Sequence, residues 1–238
     1  MDPLSAGLAF AVVAVGALLQ GSVGFGLALV AAPLLVLLDP LFVPGPLLLA
    51  ALVLALLMSY RERREVDLGM LRWAVVGRIA GGSAAAYLLA SLPKEPLALL
   101  FAGLVLLGVL LSLSGLSVEP TDRSLLGASV LSGFMGTITA IGGPPMAMLY
   151  QNSPGPKLRG MLSSFFVAGT IISLSLLTAV GKFGLREARA GLLLVPGILA
   201  GFAVSAFVAP HLDKRAVRPL VLFVSAASAF AVIIRTLL

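Results

Sequence analysis

The sequence predicts an all-α polytopic membrane protein of about eight transmembrane segments, arranged as two four-element repeats whose first segments are broken or re-entrant. Three observations carry that expectation. The chain is 60% hydrophobic and only 11% charged over 238 residues, whereas soluble domains carry about a quarter charged residues. Its apolar residues fall into eight long stretches bounded by charges or by proline and glycine. The first and fifth of these are interrupted in related ways. A mean hydropathy of +1.12 cannot be hidden by folding in water, because a domain of this size still exposes much of its surface. Lipid is therefore the solvent.

A spanning helix needs about 20 apolar residues. The first stretch, Leu4 to Leu38, holds 35; as one helix it would be about 52 Å long, against a hydrocarbon core of roughly 30 Å. It should break at Gln20-Gly21-Ser22-Val23-Gly24-Phe25-Gly26, where each glycine lowers helix stability by about 1 kcal/mol relative to alanine. Leu41 to Tyr60, Trp73 to Leu92 and Leu97 to Leu113 complete the first half. The fifth stretch, Leu125 to Tyr150, should break at Ile141-Gly142-Gly143-Pro144-Pro145, where two prolines remove amide donors and the glycines permit positive φ. Ser163 to Val180, Gly191 to Pro210 and Leu220 to Ile234 follow. The connections are too short for a soluble domain between them.

An offset of 112 places Gly21 on Gly133, Gly24 on Gly136 and Pro33 on Pro145. An offset of 119 places Ile79, Gly82 and Ala86 on Ile198, Gly201 and Ser205. Both point to a repeat divided near Pro120, residues 1–119 and 120–238.

The net charge of +6 is spread through connections rather than gathered on one face, which fits membrane topology and not a nucleic-acid partner. With eight single crossings, Lys and Arg divide ten against six between the two sides; with the first and fifth stretches as hairpins, they divide eleven against five. Cytoplasmic connections are the basic ones, so the count favours hairpins, inverted halves and both termini outside. No basic residue precedes the first apolar stretch, and no removable signal peptide is expected. With no cysteine, the redox compartment cannot be read.

At the broken segments the sequence resembles the sulfite exporter TauE/SafE family of membrane permeases. The residues that carry the resemblance are Gly21, Gly24, Gly26 and Pro33, then Gly136, Gly142, Gly143, Pro144 and Pro145, followed by Arg159, Ser163 and Ser164. The resemblance implies a multi-pass protein of the cell membrane that moves sulfite, organosulfonates or related small anions.

The physics of the breaks agrees. A helix that restarts at membrane depth presents up to four unsatisfied amides and roughly half a positive charge, a setting for a dehydrated anion, and unwound backbone there survives only in protein or along a wet cavity. The expected substrate-binding residues are Gln20, Gly21, Ser22, Gly24, Gly26, Thr137, Thr139, Gly142, Gly143, Pro144, Gln151 and Arg159. Against that reading, glycines also serve close helix packing, Ser and Thr bond back to their own helix, and Arg159 can be a positive-inside anchor. Arg78, six residues beyond Arg72, is expected to snorkel to the interface, with a role in the path as the alternative. His211 is expected to be a solvated connection residue.

All ten acidic residues fall at segment ends or in connections, so a buried carboxylate proton relay is not expected. Nor is a catalytic or metal-ligating cluster, which leaves an enzyme and a cofactor without support. The runner-up is a carrier of a cation or another small organic solute, because unwound carbonyl ends coordinate cations. The expected partners are the bilayer and a small anion, with a homodimer left open.

Overall fold

The computed structural model describes residues 3–65, 68–209 and 214–237. Among them the chain is helical: α1 (Pro3–Val23), α2 (Leu27–Leu38), α3 (Gly45–Arg61), α4 (Leu68–Ser91), α5 (Lys94–Leu113), α6 (Asp122–Thr139), α7 (Gly143–Tyr150), α8 (Gly155–Ala179), α9 (Leu185–Val208) and α10 (Lys214–Leu237). Six of these, α1, α4, α5, α8, α9 and α10, are long and apolar enough to cross a membrane. Several begin before their apolar stretch does, α4 at Leu68 and α8 at Gly155, because backbone hydrogen bonding continues past the last lipid-facing residue.

Both long stretches break where glycine and proline said they would. α2 has 12 residues and α7 eight, about 18 Å and 12 Å. Neither spans a core of roughly 30 Å.

Contacts show which way each broken pair runs. At one end of the bundle, hereafter the basic end, Arg159 of α8 pairs with Glu62 at the end of α3. At the opposite end, Asp39 after α2 shares a surface depression with Arg186 and Arg189 of the first turns of α9, and Arg235 donates to the Leu37 carbonyl. α1 runs parallel to α9, with Gly197 against Phe10 and Gly201 against Ala14, so α1 starts at that opposite end and α2 comes back to it. α6 runs parallel to α4, with Gly77 against Leu126 and Gly81 against Val130. α7 returns to where α6 began: Gln151 donates to the Leu116 carbonyl and Asn152 to the Ser117 hydroxyl, just before α6. The two broken pairs are hairpins that enter from opposite ends.

These contacts also set positions in the two parts of the chain against each other. Gly77 and Gly81 meet α6 as Gly197 and Gly201 meet α1. Phe10 then falls on Leu126 and Ala14 on Val130, 116 positions apart, while Gly77 falls on Gly197, 120 apart. At 116, the last residue of α1 (Val23) falls on the last of α6 (Thr139), and Leu27, which opens α2, on Gly143, which opens α7. These offsets differ by four and by one from the 112 and 119 of the sequence matches. Residues four apart share a helix face, so small residues can match at 112 as well as at 116. A further correspondence is local: Pro44-Gly45-Pro46 opens α3 as Pro154-Gly155-Pro156 opens α8.

Candidate functional site

The tips of the two hairpins meet inside the bundle. Gly24 and Gly26 have φ of 110° and 128°, a region that residues with a Cβ rarely enter. The chain leaves α6 through Ala140 in the left-handed region, φ 63°. Phe25, at the first tip, lies against Gly143 of the second. Between them is a cavity of about 30 Å³ lined by Gln20, Gly26, Arg78, Gly142, Gly143 and Pro144 among others, room for roughly one or two waters. A larger chamber of about 380 Å³ adjoins it, shares Phe25, Gly26, Leu29 and Pro144, and reaches Ser112, Gln151, Ser153 and Gly155 at the basic end.

Arg78 forms the polar wall of the small cavity. The expectation that it snorkels is wrong: its relative exposure is 3%. Because α4 begins at Leu68, ten residues earlier, Arg78 sits about 15 Å along the helix axis, beyond the reach of an interfacial side chain. Its Nε donates to the Gly169 carbonyl at 3.2 Å, Nη1 to the Ser132 carbonyl at 2.9 Å and hydroxyl at 3.0 Å, and Nη2 to the Ser173 hydroxyl at 3.3 Å. The Phe165 ring lies 5.5 Å from the guanidinium carbon. Among the described residues no carboxylate pairs with it; the ion pairs join Glu62 to Arg61 and Arg159. Removing Arg78 from the basic edge leaves a ten-to-five division of Lys and Arg, so the asymmetry survives.

Glycine makes the space for this guanidinium. A Cβ on Gly136, Gly142 or Gly169 would lie 2.6–2.8 Å from its nitrogens, closer than atoms can pack. Three glycines from α6, the second break and α8 thus hold open the volume that Arg78 fills. The available signal was an arginine inside an apolar stretch, which marks function in a membrane segment.

The remaining expected residues separate into those at the cavity and those behind it. Gln20, Gly26, Gly142, Gly143 and Pro144 line it, and Gln151 lines the larger chamber. Gly21 packs on Ser205 of α9 and gives its carbonyl to Arg61 Nη2 at 2.5 Å. Ser22 donates to the Leu18 carbonyl, one turn back. Gly24 packs against the stem of Arg159, whose Nε bonds Glu62 at 2.7 Å. Thr137 hydrogen-bonds Ser173, behind Arg78. Thr139 donates to the Met135 carbonyl and accepts from the Ile141 amide. His211 lies outside the described residues.

Residues 8–232 match the family model described as sulfite exporter TauE/SafE. The chain belongs to the TauE/SafE family. No curated protein and no solved structure shows significant similarity to it. As a TauE/SafE protein it is an integral, multi-pass membrane protein of a family of transporters rather than enzymes.

In this TauE/SafE chain the helix ends offer fewer donors than a generic break. Gln20 Oε1 takes the Leu27 amide at 3.2 Å, leaving those of Ala28 and Leu29, both at the cavity. At α7, Pro144 and Pro145 carry no N–H, so the donors are the amides of Gly142 and Gly143. No side chain caps Gly142.

Proposed function

We propose that this TauE/SafE protein is a permease for small sulfur-containing anions, sulfite or organosulfonates, and that the anion seats between the two hairpin tips against Arg78. One observation carries the reading: a fully buried guanidinium faces the cavity at the tips with no acidic partner among the described residues. An uncompensated charge away from water is unfavourable by several kcal/mol, and a bound anion removes that penalty. The ends of α2 and α7 add their partial positive charge and four amides. The neutral hydroxyls of Ser132, Ser173 and Thr137 fix the guanidinium without cancelling its charge, which keeps binding weak enough for release. The same charge argues against the cation carrier, since a cation at the tips would be repelled.

The reading extends to organisation. Hairpins entering from opposite ends and the 116- and 120-residue correspondences support two inverted repeats divided near Pro120. The Lys and Arg asymmetry supports a cytoplasmic basic end, so the chamber of about 380 Å³ faces the cytoplasm and the conformation is inward-facing.

The test is heat protection of the purified protein, followed by uptake in proteoliposomes. Sulfite and small sulfonates should raise the midpoint of thermal unfolding and be transported, while sodium, potassium and choline as chloride salts should do neither. Protection by cations regardless of the anion would overturn the assignment.

A further inference from the structure

We infer that Phe25 is the gate between the chamber at the basic end and Arg78, and that its ring sets the size of anion that passes. The inference rests on the reading of the Arg78 cavity as the binding site. Phe25 lines both the cavity of about 30 Å³ and the chamber of about 380 Å³. It also packs against two separate hydrophobic clusters, one around α1, α2 and α3, the other around α7 and α8. It is the residue at which the two spaces and the two clusters meet.

A sulfur oxyanion has at least four heavy atoms and cannot enter a space that holds roughly one or two waters, so part of the lining must yield. Most polar candidates are tied down. Arg78 makes four hydrogen bonds, the Gly142 carbonyl accepts from Ser132, and Gln20 accepts from the Leu27 amide. Phe25 is held by packing alone, and the residues on either side of it are Gly24 and Gly26, with φ of 110° and 128°. A Cβ on Gly26 would meet nothing within 4 Å, so no neighbour packs on that side of the tip, and the backbone bonds there are made by the Gly24 amide and the Gly26 carbonyl, outside the Phe25 residue itself. The ring seats on Gly143, where a Cβ would lie 3.2 Å from that of Phe25; the missing side chain is what lets the first tip close on the second. Rotation about the two glycines lifts the ring from Gly143 and joins cavity to chamber.

The chain has no cysteine, so single reporters can be introduced without background. Thr170, 4% exposed, lines the small cavity, and Ala147, 7% exposed, lines the chamber. The probe is a methanethiosulfonate reagent bearing an ethylsulfonate, with the full chain in proteoliposomes. Thr170→Cys should label slowly and Ala147→Cys rapidly in the parent. Phe25→Ala should speed labelling of Thr170→Cys by about tenfold or more, as expected if the open form is a minor state of roughly 0.1–10%, and leave Ala147→Cys unchanged. Phe25→Trp should slow it. The Phe25→Ala variant should also take up bulkier arylsulfonates than the parent. Labelling of Thr170→Cys at one rate across the Phe25 variants would overturn the gate. If Phe25→Ala fails to insert, Phe25→Trp decides alone, and a rate equal to the parent's overturns it. Labelling needs no transported substrate: the expected order of rates without sulfite protection would support the gate and count against the permease reading, while protection with equal rates would do the reverse.

Discussion

Arg78 Nη1 donates to the hydroxyl of Ser132 at 3.0 Å, and that hydroxyl donates onward to the carbonyl of Gly142 at 2.5 Å. One serine therefore couples the buried charge on α4 to the unwound backbone at the second tip. Movement of either changes the cavity for both.

Replacing Arg78 separates charge from shape. Arg78→Met should abolish anion protection and transport while the unliganded protein still inserts and unfolds within a few degrees of the parent, because a buried charge exchanged for an apolar group of similar volume is often tolerated. Arg78→Lys keeps the charge and loses the planar fork. Its anion affinity should fall about tenfold to a hundredfold, the range spanned by charged hydrogen bonds of about 1.5–3 kcal/mol. Calorimetric titration with sulfite checks both; undiminished affinity in Arg78→Met would remove the arginine from the site.

Ser132 is fully buried, and Ser132→Ala leaves the Gly142 carbonyl without its hydroxyl donor and one guanidinium hydrogen unpaired. Unsatisfied buried groups are unfavourable by about 1–3 kcal/mol. The variant should unfold at lower temperature and bind sulfite more weakly, both measured on detergent-purified protein. An unchanged midpoint and unchanged affinity would mean that the coupling has no energetic weight.

Two glycines beside the cavity should respond differently. A Cβ on Gly142 would lie 2.6 Å from Arg78 Nη1, so Gly142→Ala should displace the guanidinium and eliminate anion protection. Gly26 has open space but a φ of 128°. Gly26→Ala should therefore destabilise the protein by at least about 1 kcal/mol through backbone strain and slow transport while protection by sulfite persists. Equal loss of protection in both variants would contradict the division between cradle and hinge.

Local chemistry makes the two breaks legible in the sequence. Gly24, Gly26, Pro144 and Pro145 interrupt helices through their own backbones, whatever surrounds them, so the tips could be placed within a few residues. The roles of their polar neighbours could not. Ser22 turned to the Leu18 carbonyl and Thr139 to the Met135 carbonyl, the local bonds always open to a hydroxyl on a helix. Gln20 instead reached across the break to the Leu27 amide, a bond that exists only because α2 folds back beside α1.

The burial of Arg78 is not legible in the sequence for a related reason. Its depth depends on where α4 begins and on which helices cover it. Arg72 nearby suggested a segment end, yet the helix starts at Leu68, and the carbonyls and hydroxyls that hold the guanidinium come from α6 and α8, 54 to 95 residues away.

The amino-acid order by itself determined the solvent, the number of apolar stretches and the two interruptions, because hydropathy and backbone restriction are properties of short stretches of chain. The tertiary structure alone decided that the interruptions face one another, that three glycines clear room for an arginine, and that one phenylalanine lies where the two spaces beside it meet. Those features arise from contacts between helices distant in the chain, and no local pattern specifies which surfaces of an apolar helix will meet.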